Sequence, residues 1–158
     1  MSDRFIVMPP EEGSESGTVS IVIPIDKTIE EIAEALPEGS VFSFIGKSDI
    51  PTTRFFRDCW AFPFEKENYA VESIYVDMDK ARLQVQEMIR VEREPAFQKL
   101  DVAYQRATET EDKDRMKEVA ELKQVLRDLP DDPRIEAAQT PEELEHLAIY
   151  SVKEAVGE

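Results

Sequence analysis

Cys59 and His146 are the one cysteine and the one histidine of this chain. Together they could supply a thiolate nucleophile and its base. Cys59 lies between Asp58 and Trp60, and a neighbouring carboxylate disfavours the thiolate. A packed, structural cysteine is therefore expected. His146 stands between Glu145 and Leu147 on a predicted helix and reads as a surface or packing residue. One cysteine and one histidine far apart leave no multi-Cys/His zinc site. Paired carboxylates can run acid–base chemistry, and Glu11/Glu12 and Asp131/Asp132 are adjacent pairs. Both pairs sit beside prolines, and among 35 acidic residues such neighbours arise by chance. Solvated loops are the expectation for both. Asp112-Lys113-Asp114 opens like a calcium loop, but the glycine and distal glutamate do not follow at the required spacing. No glycine-rich phosphate loop precedes a helix, and no Gly-x-Ser-x-Gly elbow occurs. The sequence thus offers no catalytic, cofactor-binding or metal residue and reads as non-enzymatic.

The aromatic group Phe55, Phe56, Trp60, Phe62 and Phe64 is the most unusual local feature. In a strand, alternation puts Phe56, Trp60, Phe62 and Phe64 on one face. That face can be the core of a small module, or it can dock a partner, because aromatic side chains dominate interface energies. Arg54 and Arg57 stand beside it and could anchor a partner carboxylate. The candidate partner-binding residues are Arg54, Phe56, Arg57, Trp60 and Phe62.

The elements that must position these residues fall into three stretches. In residues 1–76 the runs Phe5–Met8, Val19–Pro24, Val41–Ile45 and Phe55–Phe62 read as strands, the first as an edge strand ended by Pro9-Pro10 and pairing with the second as a hairpin. Thr28 is a good N-cap for a short helix whose apolar face is Ile29, Ile32, Ala33 and Leu36. Tyr69 to Tyr75 is mixed in character. The order β-β-α-β-β suggests a compact module ending near residue 76. From Asp77 helical periodicity takes over. Ala81, Val85, Met88 and Ile89 form a stripe that resumes with Leu100, Ala103, Tyr104 and Ala107, with a kink or break expected at Pro95. Residues 108–112 read as a reversal, with Thr110 as the next N-cap. Met116, Val119, Leu122 and Leu126 form the second stripe, so residues 77–129 predict an antiparallel helical hairpin. Glu111/Arg115 and Lys117/Glu121 stand four apart and can pair. Leu129 to Pro133 ends the hairpin. Residues 130–158 form an acidic tail in which Thr140-Pro141-Glu142-Glu143 starts a final helix reaching about Ala155. The predicted class is α+β.

The net charge of −16 is spread unevenly. Residues 1–76 hold six basic and fourteen acidic side chains, residues 77–129 eleven and thirteen, and residues 130–158 two and eight. Direct nucleic-acid binding is not expected, since a phosphate backbone needs a basic patch, and the same charge argues against an anionic membrane surface. No stretch approaches the roughly 20 apolar residues of a membrane span. The start, Met-Ser-Asp-Arg, has no basic segment followed by an apolar run, so no signal peptide is expected. A single cysteine suits synthesis in a reducing cytosol.

The block Asp49-Ile-Pro-Thr-Thr-Arg-Phe-Phe-Arg-Asp-Cys-Trp60 resembles a segment of small proteins encoded beside tail-fibre genes in tailed bacteriophages and prophages. Val76-Asp-Met-Asp-Lys-Ala-Arg82 and Leu100-Asp-Val-Ala-Tyr-Gln-Arg-Ala107 continue the resemblance. Lys123-Gln-Val-Leu-Arg-Asp-Leu-Pro130, followed by Gln139-Thr-Pro-Glu-Glu-Leu144, also looks like this group, and its Leu-Arg-Asp-Leu-Pro segment is similar to the C-terminal part of phage tail assembly chaperones. Four pieces in one order cover roughly residues 48–148. The charged connection from Phe62 to Ser73 is longer than the pattern has. The resemblance implies a tail-region protein without enzymatic activity or cofactor, made in the host cytoplasm. Its partners would be tail, baseplate or fibre proteins, with homo-oligomers possible. It would be either a structural component of the virion tail or an assembly chaperone that leaves before the particle matures.

Overall fold

The computed structural model describes residues 4–15, 17–64 and 73–158. The chain is mixed α and β, with long helices and small antiparallel sheets. It divides into two compact units, the first ending at Asp77 and the second spanning Met78–Glu158. The expected connection over residues 65–72 lies outside the described residues.

In the first unit, β1 (Arg4–Met8), β2 (Ser20–Val22) and β3 (Ser43–Gly46) form one sheet in the order β2-β1-β3, both pairings antiparallel. The β1–β2 hairpin is as expected, in the register Ile6↔Val22. The edge position expected for β1 is corrected: it is the central strand. Ile6 and Val7 explain why. They are consecutive, so they point to opposite faces, yet both are fully buried. Pro9 and Pro10 follow the strand and remove no donor from its ladder.

Helix α1 (Ile29–Glu34) packs against β1. A capping box starts it: the Glu31 amide donates to Thr28 Oγ1 at 3.2 Å, and the Thr28 amide donates to Glu31 Oε2 at 2.8 Å. Ile29 is fully buried.

The strand expected over Phe55–Phe62 is also corrected. Arg57–Cys59 is a 3₁₀ turn, followed by a two-residue strand β4 (Trp60–Ala61) that pairs antiparallel with β5 (Tyr75–Val76). The Arg57 amide donates to the Arg54 carbonyl at 3.1 Å and the Cys59 amide to Phe56 at 2.9 Å. Those local bonds use donors that a ladder would need. The observed order is therefore β-β-α-β-β-β, with the last two strands in a sheet of their own.

Asp49 ties this unit together. Its Oδ2 accepts from the Gly46 amide at 2.7 Å, its Oδ1 from Ser73 Oγ at 3.3 Å, and its carbonyl from the Ile74 amide at 2.9 Å. The end of β3 is thereby fastened to the chain entering β5.

The second unit is helical. α2 (Met78–Glu109) runs through Pro95 as one helix, so of the kink or break expected there the break is corrected. Pro95 faces solvent, and the carbonyl its missing N–H would have met belongs to the exposed Val91. The lost bond thus falls where the carbonyl can be hydrated. α2 turns into α3 (Lys113–Asp128) to make the expected hairpin. The N-cap is Asp112, whose Oδ1 accepts from the Arg115 amide at 3.0 Å. Thr110 instead closes α2, its hydroxyl donating to the Arg106 carbonyl at 3.1 Å. Lys117 pairs with Glu121 as expected, whereas Arg115 pairs with Glu118. Val85, Ile89, Val119 and Leu126 fill the interior between the helices.

Residues 130–158 belong to this same unit and are not a separate tail. A 3₁₀ turn (Leu129–Asp131) leads into α4 (Pro133–Ala137), and α5 (Pro141–Val156) packs on α2 and α3. Thr140 caps α5 and Pro141 is its first residue, as expected. Leu144, Leu147, Ala148 and Val152 form its buried face. Ile135 anchors the short α4.

Candidate functional site

The aromatic group is assembled, but inward. Phe56, Trp60 and Phe62 are buried, and Phe55 meets Phe56 edge-on at 4.9 Å. A docking face at Phe56, Trp60 and Phe62 is therefore corrected to a core: a 3₁₀ turn in place of a flat strand folds the rings under the chain. Arg54 and Arg57 remain exposed. Cys59 is buried as expected. His146 lies in the other unit, on α5. Among the described residues, no group of three or more His, Cys, Asp or Glu side chains is placed to hold a metal ion. Among them, too, no helix is long and apolar enough to cross a membrane.

Asp131 and Asp132 do not form a solvated pair. Asp132 caps α4: its Oδ1 accepts from the Arg134 amide at 2.9 Å, and its Oδ2 meets Arg134 Nη2 at 2.8 Å. The Arg134 guanidinium beside Asp132 holds its carboxyl below the usual carboxylate range, against a smaller opposing effect of burial. The same contact raises the Arg134 pKa. Arg134 also reaches Glu154 at 3.5 Å, and the other oxygen of Glu154 lies 3.8 Å from His146 Nε2. His146 in turn stacks on Tyr150, centroids 4.7 Å apart. Residues from α4 and from both ends of α5 thus meet in one chain of contacts.

Alongside this chain runs a groove of about 560 Å³ lined by Arg134, Ala137, Ala138, Glu142, Glu143, His146 and Leu147. The alanines and Leu147 make an apolar floor. Glu142 and Glu143 form an acidic rim, and Glu143 Oε2 also accepts from the Gln139 amide at 2.7 Å. Arg82, on α2, holds the floor in place. Its Nε donates to the Ile135 carbonyl at 3.3 Å and its Nη2 to Ala138 at 3.1 Å. These are end carbonyls of α4 that lack helical partners.

Sequence reasoning missed this site. Asp132-Pro133 carries the same N-cap and first-turn proline signal as Thr140-Pro141, and it marks α4. The groove itself needs α4 and α5 to converge, which no local pattern encodes.

A second groove of similar volume, in the first unit, is lined by Arg4, Phe42, Phe44 and Asp49 among others. Arg4 lies over the Phe44 ring at 4.6 Å and pairs with Glu30 at 3.6 Å. Asp49 there is already committed to Gly46 and Ser73. This groove is the weaker candidate.

Comparison with protein-family models, with curated proteins and with solved structures finds no match to this chain.

Proposed function

We propose that this chain is a non-enzymatic structural protein of a bacteriophage tail, acting through protein–protein contacts at the distal tail, baseplate or fibre base. Its association with tails comes from the resemblance of four ordered segments between residues 48 and 148. The observation that carries the protein-binding part is the α4–α5 groove, an apolar floor with a charged rim on the helical unit. Such a floor inside a polar rim is the anatomy of a docking surface. The excess of acid keeps free subunits apart and soluble before assembly.

One specific feature favours an assembly chaperone as the second reading. The groove begins just past Leu126–Pro130, the segment that carries the similarity to tail assembly chaperones. A chaperone would hold a partner segment there and release it. Quantitative mass spectrometry of purified particles separates the two. A structural component is present in fixed proportion to other tail proteins; a chaperone is found in the infected cell and is missing from the particle.

A further inference from the structure

We propose that the α4–α5 groove receives a short amphipathic segment of another protein, one that offers apolar side chains flanked by arginine or lysine. This deepens the protein-binding reading above and does not depend on which particle the protein serves.

Size sets the kind of occupant. About 560 Å³ lies within the usual range for a concave site and holds a few side chains of a segment. Charge sets its chemistry. Glu142 and Glu143 stand on the rim, and Glu154 contacts the lining residues Arg134 and His146. Arg134 offers little to an incoming anion, because Asp132 and Glu154 already hold its guanidinium. The stretch that builds the groove, residues 130–158, has eight acidic and two basic side chains. A basic flank on the occupant would meet these carboxylates and be steered toward them. A second copy of this chain fits poorly, since each copy carries −16. Arg82 pre-forms the floor by fixing the end of α4, so little ordering is required on binding.

The test uses the full-length chain and a fluorescein-labelled synthetic helix of about 15 residues, near the shortest length that persists in water. The helix carries leucine on one face and arginine beside it. A matched peptide carries glutamate in place of arginine. Anisotropy is expected to show saturable binding of the arginine peptide and binding about tenfold weaker for the glutamate peptide. Ala137→Glu, which fills the floor, is expected to weaken arginine-peptide binding about tenfold. Glu142→Arg, an exposed charge reversal, is expected to shift preference toward the glutamate peptide. Because Glu142 is exposed, that variant decides the matter if Ala137→Glu does not fold. Lys27→Glu, an exposed charge reversal in the other unit, is expected to change nothing. The proposal is overturned if neither peptide binds, if both bind equally, or if binding ignores both groove variants. Absence from purified particles would sink the structural-protein reading and leave this result standing, and peptide indifference would do the reverse.

Discussion

Arg82 Nη2 donates to the carbonyl of Ala138 across 3.1 Å, joining the first turns of α2 to the end of α4. Its Nη1 also pairs with Asp79 at 2.9 Å. One guanidinium therefore serves two helices, and the floor of the groove rests on it. Arg82→Ala is expected to destabilise the helical unit by about 1–3 kcal/mol, since it strands the Ile135 and Ala138 carbonyls. Arg82→Lys should recover only part of this, because a point charge cannot reproduce the fork. Urea denaturation followed by far-UV circular dichroism reads both, and equal stability of all three proteins would refute the capping role.

Phe56 and Trp60 are buried together in the first unit. Phe56→Ala is expected to cost about 3–5 kcal/mol there. Trp60 is the single tryptophan, so its fluorescence reports the first unit alone. The fluorescence midpoint should fall sharply in this variant. A near-neutral change would return Phe56 to the surface.

Glu111 holds a left-handed backbone, φ 52°, just beyond α2. The Asp112 amide donates to the Ala107 carbonyl at 2.9 Å, as in a helix end of the glycine type. Glu111→Gly is expected to stabilise the hairpin by about 1 kcal/mol, and Glu111→Ala to give no such gain, because alanine meets the same strain. Thermal melts of the two variants check this.

The Asp132 carboxyl is held below its ordinary value by Arg134. Its contribution to stability is therefore complete above that ordinary value, about 3.9. It is lost as pH falls through the lower, folded value. Asp132→Asn keeps the cap, since asparagine caps as well as aspartate, and removes the charge. The variant should show a shallower loss of stability in the acid limb and a small change at neutral pH, as fits a solvent-screened pair. Parallel acid titrations of the two proteins would contradict the assignment.

Much of the helical unit was legible because its signals are local. Thr140-Pro141-Glu142 announces α5, and the stripe through Val119 and Leu126 faces inward as its spacing requires. Asp132-Pro133 was equally clear chemically, but a dense run of prolines and acids read only as a stop. Pro95 does not break α2: propensity ignores where a missing hydrogen bond falls, and here it falls toward solvent. The aromatic run at 55–62 misled for a different reason. Rings buried from a turn and rings buried from a strand leave the same composition. β1 was placed at an edge because adjacent burial of Ile6 and Val7 is a tertiary fact. The groove was out of reach for the same reason: Ala137 and Glu142 line one groove because α4 and α5 converge.

The most direct test of the account is covalent. A photo-reactive phenylalanine derivative replacing His146, an exposed aromatic residue that lines the groove, is introduced during assembly of the phage, and the adducts are mapped by peptide sequencing. The expected product joins position 146 to a tail, baseplate or fibre protein, at a segment with basic residues beside apolar ones. Adducts confined to copies of this chain, or none at position 146 when the same group at the exposed Leu83 gives one, would contradict it.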